Sequence, residues 1–270
     1  MHKIAVIQMC SCLSVGVNLV TAKRLVVEAA NQGAKIAILP DHFALFSKKS
    51  NDYAINKEIL GEGRIQNFVQ KLAQEYNIWI IASGIPLVSE YSDQKFYLAT
   101  VVYNNRSQLV DVYYHLRPFL PLVYERASIK LEFQEYGGQV KIIKTPYGCI
   151  GLVSTYDLYS PEVFRYLRIQ GADFFAVSGA MNSEIGVTSW RLMLKARALE
   201  NNAAIFAANQ SGFHEDMGLL THGHSMILDD SAKVSACGEI GEKVLVSEID
   251  SASFKITHFD KHPFQLRYRR

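Results

Sequence analysis

Ser154 and Thr155 stand side by side in Gly151-Leu152-Val153-Ser154-Thr155-Tyr156-Asp157-Leu158, which runs on to Ser160-Pro161-Glu162. A threonine hydroxyl becomes a nucleophile only when a neighbouring base takes its proton. Its β-branch also restricts χ1, so it is aimed less freely than a cysteine. Neighbours on a strand face opposite ways, so Ser154 reads as structural if Thr155 faces a site. Asp157 and Glu162 read as hydrogen-bonding or helix-start groups, with Pro161 in a first helical turn. Cys149 falls at the start of the strand that leads to Thr155, and Cys10 at the end of the first strand; both read as structural. Cys10-x-Cys12 is too close for a simple bridge and lacks zinc-site spacing. His222-x-His224, with His214 nearby, could supply two metal ligands from one face of an extended segment, but a structural role is the better reading. Glu200 reads as an ion-pair partner for Arg197, buried on its helix, rather than as a catalyst.

Short apolar runs that alternate with helical spacing must position these groups. Strands are predicted at 4–9, 35–40, 78–83, 99–103, 110–114, 149–154, 173–178, 204–209, 223–228 and 244–249. Helices are predicted at 18–31, 63–76, 161–170 and 187–201, with Gly33 as a C-terminal stop for the first. Asn104-Asn105 marks the turn of a hairpin between the fourth and fifth strands. Alternating strands and helices indicate an α/β layered fold, and two strand–helix–strand halves suggest internal symmetry without a short repeat. No linker divides the chain, so 1–270 reads as one domain.

The chain has 270 residues, 49% of them hydrophobic and 20% charged, enough for one large core. A net charge of +2 gives no footprint for nucleic acid. Arg267, Arg269 and Arg270 make a basic end that reads first as a solvated tail. No apolar run reaches the ~18 residues that cross a bilayer. Four cysteines in this length fit reduced thiols, and the expected location is the cytoplasm.

Read in order, the motifs resemble the nitrilase (carbon–nitrogen hydrolase) superfamily along essentially the whole chain. Its active-site elbow, roughly Gly-x-x-Ile-Cys-Tyr-Asp-x-x-x-Pro-Glu, falls on Gly151–Glu162. Ala5-Val6-Ile7-Gln8-Met9, Leu39-Pro40-Asp41, Trp190 with Arg197-Ala198 and Glu200-Asn201, Ala207-Ala208-Asn209-Gln210 and Gly223-His224-Ser225 match further segments. The resemblance implies an α-β-β-α sandwich that dimerises through its helices into an eight-layer core, with no cofactor or metal. It also implies a Glu base, a Lys that holds the oxyanion and a Cys nucleophile.

The matching positions hold Asp41, His115 and Thr155. Asp41 is shorter than Glu by about 1.5 Å. His115 is shorter than Lys and only partly charged near neutrality. Misplacement near 1 Å costs roughly a hundredfold in rate. The expectation is a pseudoenzyme that binds a small amide or carboxylate ligand or a protein partner, as a homodimer. The alternative is an active amide hydrolase in which Asp41 orients His115 and His115 deprotonates Thr155. A bland reading has Asp41 and His115 satisfying each other. Glu125, Glu132 and Glu135 are candidates for a second site carboxylate. Glu132, Tyr156 and Asn182 are taken as substrate-binding candidates, although Tyr156 also suits packing or a dimer surface. The loops 43–59, 116–137 and 181–187 are expected to set pocket specificity.

Overall fold

The structure, a computed structural model, describes residues 1–117 and 133–249. The chain runs β1 (His2–Gln8), α1 (Val15–Asn31), β2 (Ala34–Ile38), α2 (Ser50–Ile55), α3 (Arg64–Glu75), β3 (Trp79–Val88), β4 (Phe96–Tyr103) and β5 (Leu109–Tyr114). It continues through β6 (Gln134–Glu135), β7 (Ile142–Thr145), β8 (Gly148–Ser154), α4 (Pro161–Ile169), β9 (Phe174–Gly179), α5 (Ser183–Asn201) and β10 (Ala204–Asn209). The remaining elements are β11 (Ser211–His214), β12 (Leu219–His222), β13 (Met226–Leu228), β14 (Val234–Cys237) and β15 (Lys243–Ile249).

Two large sheets and a two-stranded β11-β12 ribbon result among the described residues. One has the order β15-β1-β2-β3-β4-β5, with β6 against β4; the other is β14-β13-β10-β9-β8-β7. The strand–helix–strand units β1-α1-β2 and β8-α4-β9 each close a parallel pair, as the two-halves reading expects. The predicted β4–β5 hairpin forms, antiparallel, around Asn104.

Period-two alternation builds the layers. Ile4 and Val6 of β1 point into a core shared with Ile150, Leu152, Phe174 and Phe206 of the other sheet. Ala5 and Ile7 point the other way, against Leu19 and Val26 of α1 and Val69 of α3. Likewise Val153, Phe175 and Val177 face Phe164 of α4 and Trp190 of α5. The architecture is therefore the expected α-β-β-α sandwich.

Some boundaries differ for local reasons. α1 begins at Val15 because the Ser14 hydroxyl caps it, accepting from Val17 N. Asn18 lies inside that helix, and its side chain ties Cys12 and Ala44 to it. α5 begins four residues before the predicted 187, where Asn182 caps it. Residues 223–225 precede β13 rather than extending it. Glu200 pairs with Arg197 at 3.0 Å, but its side chain is 37% exposed, so the ion pair sits at the surface, not in the core. No helix of the described residues is long and apolar enough to cross a membrane.

Candidate active site

Asp41 follows β2 where the two sheets meet. Its amide donates to Gly179 O at 3.2 Å, and its carbonyl accepts from Gln210 Nε2 at 2.9 Å. Across from it, β8 ends at Ser154 and a 3₁₀ turn begins at Thr155. Asp157 holds that turn: its Oδ2 accepts from Ser154 N at 3.0 Å and Ser154 Oγ at 2.7 Å, and also from Tyr113 Oη. Pro161 opens α4 as expected. Asp157 and Ser154 thus have the structural roles read from the sequence.

The structure brings Asp41, His115 and Thr155 into one buried cluster, with exposures of 2%, 3% and 1%. Their order differs from an acid–imidazole–hydroxyl relay. Thr155 Oγ1 donates to Asp41 Oδ2 at 3.0 Å and accepts from Ala180 N at 2.9 Å. Ser83 Oγ donates to Asp41 Oδ1 at 3.1 Å. His115 Nε2 lies 3.1 Å from Thr100 Oγ1 and 3.3 Å from Ser83 Oγ. His115 therefore reaches Asp41 only through Ser83, and its hydrogen bonds do not include Thr155. The reading in which Asp41 and His115 satisfy each other directly is corrected in the same way. The β3–β4 pairing puts Ser83 and Thr100 between them.

The histidine that flanks Asp41 is His42, which composition and motif did not flag. Its Nε2 stands 3.8 Å from Asp41 Oδ2. Its Nδ1 is 2.9 Å from Tyr53 Oη, which itself accepts from Ser47 N. Tyr53 Oη also lies 3.3 Å from Ser47 O, a second acceptor for its proton. Burial holds the His42 imidazole down to about 4, against an opposing pull from Asp41, so the ring is neutral at pH 7. His42 sits at φ 58°, and Gly84 at φ +79° makes room for it: a Cβ there would lie 2.1 Å from His42 N. Its position directly after Asp41 in an apolar run was the available signal.

Asp41 thus accepts from three neutral donors, the third being His42 N at 3.1 Å. Among the described residues no lysine or arginine bonds to Asp41, His115 or Thr155. A buried carboxylate without a cation is held by hydrogen bonds alone. The chemistry available is a carboxylate in direct contact with two hydroxyls, Thr155 and Ser83, beside the Ala180 amide, with no fixed positive charge for a developing oxyanion among the described residues.

The other candidates separate. Tyr156 is half-buried beside the cluster, and burial, then Asp41, raises its phenol. Asn182 Oδ1 accepts from Glu184 N at 2.8 Å, so that oxygen serves the α5 cap. Glu132 and Glu125 lie outside the described residues, as do residues 118–131 of the specificity loop and Arg267, Arg269 and Arg270. Glu135 bonds Ser89 and pairs with Lys95 at 3.0 Å. His214 is buried between Ser11 O and Thr221 Oγ1, and the rings of His222 and His224 pack at 4.5 Å. Among the described residues no three His, Cys, Asp or Glu side chains gather to hold a metal. Burial raises the Cys10 and Cys149 thiols.

Comparison with known proteins places this geometry in context. A carbon–nitrogen hydrolase family model matches residues 3–258. The deaminated glutathione amidase of Yersinia enterocolitica is 27% identical over 254 residues, spanning 93% of this chain and 88% of the relative. The deaminated glutathione amidase of a Synechocystis strain is 30% identical over 259 residues, spanning 93% and 92%. In fold, the chain superposes on Saccharomyces cerevisiae Nit3, a member of branch 10 of the nitrilase superfamily. The TM-score is 0.84 at 23% identity, with 99% of this chain and 97% of that one covered.

Proposed function

Because the chain belongs to the carbon–nitrogen hydrolase family, we propose that it keeps the family's pocket but not its cysteine-dependent hydrolysis. It then acts as a pseudoenzyme that binds a small amide or carboxylate ligand or a protein partner. The observation that carries this reading is the state of Thr155. Its hydroxyl is buried, donates to Asp41 and accepts from Ala180 N, and no lysine or arginine bonds to it among the described residues. A β-branched hydroxyl is a weaker nucleophile than a thiolate even with a carboxylate beside it, and among the described residues no lysine or arginine bonds to this cluster to hold the charge that would form.

A second reading has its own support. The Thr155 hydroxyl bonds directly to a carboxylate, the arrangement a general base requires. The relatives' name extends this to amidase action on deaminated glutathione. The deciding experiment measures hydrolysis of deaminated glutathione, and ammonia release from ω-amidated acids, carbamoyl compounds and nitriles, by the native chain and Thr155→Ala. No turnover by either folded protein is the expected result. Turnover that disappears in Thr155→Ala would sink the pseudoenzyme reading.

The proposal includes a homodimer through the α4–α5 layer. Its support is the apolar surface left there: Tyr166 is 54%, Ile169 43%, Leu192 68% and Leu199 60% exposed.

A further inference from the structure

On the opposite helical layer, α1 and α3 lie side by side and leave a groove of about 760 Å³ between them. Its apolar floor is Leu19, Val20 and Val27 from α1 and Phe68 from α3. The lining positions of α1, from Gly16 through Leu19, Val20, Lys23 and Arg24 to Val27, recur every three or four residues and form one stripe, with the two cations between its apolar groups. Val20 at 72% exposure, and Val17 beside it at 57%, are large apolar groups in the open. From Gly16 to Val27 the stripe runs about 16 Å, roughly three helical turns.

The charged lining of this groove is all cationic: Lys23, Arg24, Arg64 and Lys71. Lys23 and Arg24 are already paired, with Glu75 and Glu242. Arg64 and Lys71 meet no carboxylate among the described residues. They stand seven positions apart, two turns along one face of α3.

We propose that this groove is a docking site for an amphipathic helix of a partner protein, its apolar ridge flanked by acidic side chains. An apolar floor between two helices is shaped for the ridge of a third. The two uncommitted cations then fix its charge pattern. A second copy of this chain is disfavoured by its own charges. The exposed Leu192 of α5 lies between Arg191 and Lys195, which would meet Arg64 and Lys71 as like charges. A membrane surface is disfavoured because the chain's net charge of only +2 gives weak attraction to anionic lipid.

The test uses two fluorescein-labelled 16-residue designed helices that share a leucine stripe, one flanked by glutamates and one by lysines. Binding is read by anisotropy to the native protein, Val20→Asp and Arg64→Glu/Lys71→Glu. All three altered positions are exposed, and circular dichroism checks the fold. The glutamate helix should bind the native protein at least about tenfold more tightly than the lysine helix, and 0.5 M NaCl should weaken it. Val20→Asp should abolish binding, and the charge reversal should invert the preference. Equal binding of both helices, or of neither, would overturn the proposal. So would tighter binding to phosphatidylserine vesicles, or a dimer that Val20→Asp dissociates.

Discussion

Thr155 and Asp41, 114 positions apart in sequence, are joined by a 3.0 Å hydrogen bond from the threonine hydroxyl to the carboxylate. That bond sets the order of the cluster. Asp41 is its hub, with Thr155 on one oxygen and Ser83 on the other, and His115 stands beyond Ser83. Any proton leaving Thr155 goes to a carboxylate rather than to an imidazole.

Restoring the thiol alone should not restore hydrolysis. Thr155→Cys supplies a nucleophile but no cation, because His115 Nε2 remains among the hydroxyls of Thr100 and Ser83. Ammonia release from amides should stay at background in the single variant. Adding Asp41→Glu and His115→Lys should raise it on the order of a hundredfold, the scale set by reach and oxyanion charge. Strong activity of Thr155→Cys alone would show that the lysine position is dispensable here.

Stability should fall with acid through His42. Its folded value of about 4 lies below the ordinary 6.5. Above pH 6.5 both folded and unfolded chains hold the ring neutral, and the native state keeps its full advantage. Between 6.5 and about 4 only the unfolded chain takes the proton, so stability drops, and the drop ends below 4. The full loss is about 3 kcal/mol. His222 is also held down to about 4, by burial and then His224, but it is only half-buried and adds less. Urea unfolding at pH 7 and 4.5 should show the loss, and His42→Asn, which tolerates the positive φ, should remove most of it.

Two glycines with similar dihedrals should behave differently. Gly84→Ala places a Cβ against the His42 backbone, whereas Gly61 at φ +87° has nothing within 4 Å. Gly61→Ala should cost about 1 kcal/mol from the left-handed conformation alone. Gly84→Ala should cost at least about 3 kcal/mol, because backbone rather than a flexible side chain must move. Thermal melts of the two variants make the comparison, and equal costs would mean that the Asp41–His42 corner is soft.

Charge on α5 should separate a homodimer. Leu192 and Leu199 are both more than half exposed on one face. Leu192→Asp/Leu199→Asp should elute as a folded monomer in light scattering, with the native chain at twice that mass. A monomeric native chain would remove the dimer from the proposal.

The layers were legible because a period of two writes itself into apolar runs such as Ile4–Ile7, with one face for each core. The positions of Asp41, His115 and Thr155 were legible through motif order. Their mutual bonding was not. It depends on Ser83 and Thr100, two ordinary polar residues on β3 and β4 that become bridges only through cross-strand placement. His42 was missed because a buried histidine at positive φ leaves no periodic trace. Asn182 was read as a binding residue, and its Oδ1 also caps α5, a role decided by where that helix starts.

Gly179 O receives two amides, from Asp41 at 3.2 Å and from Gln210 at 3.1 Å. This knot of main chain fastens the floor of the site without using the side chains at 41 or 155. Only the neighbouring amides of Ala180 and His42 are held by those side chains. A side chain of another length at 41 or 155 would stand on the same main-chain anchor, so this corner works as a mount rather than as part of the reagent.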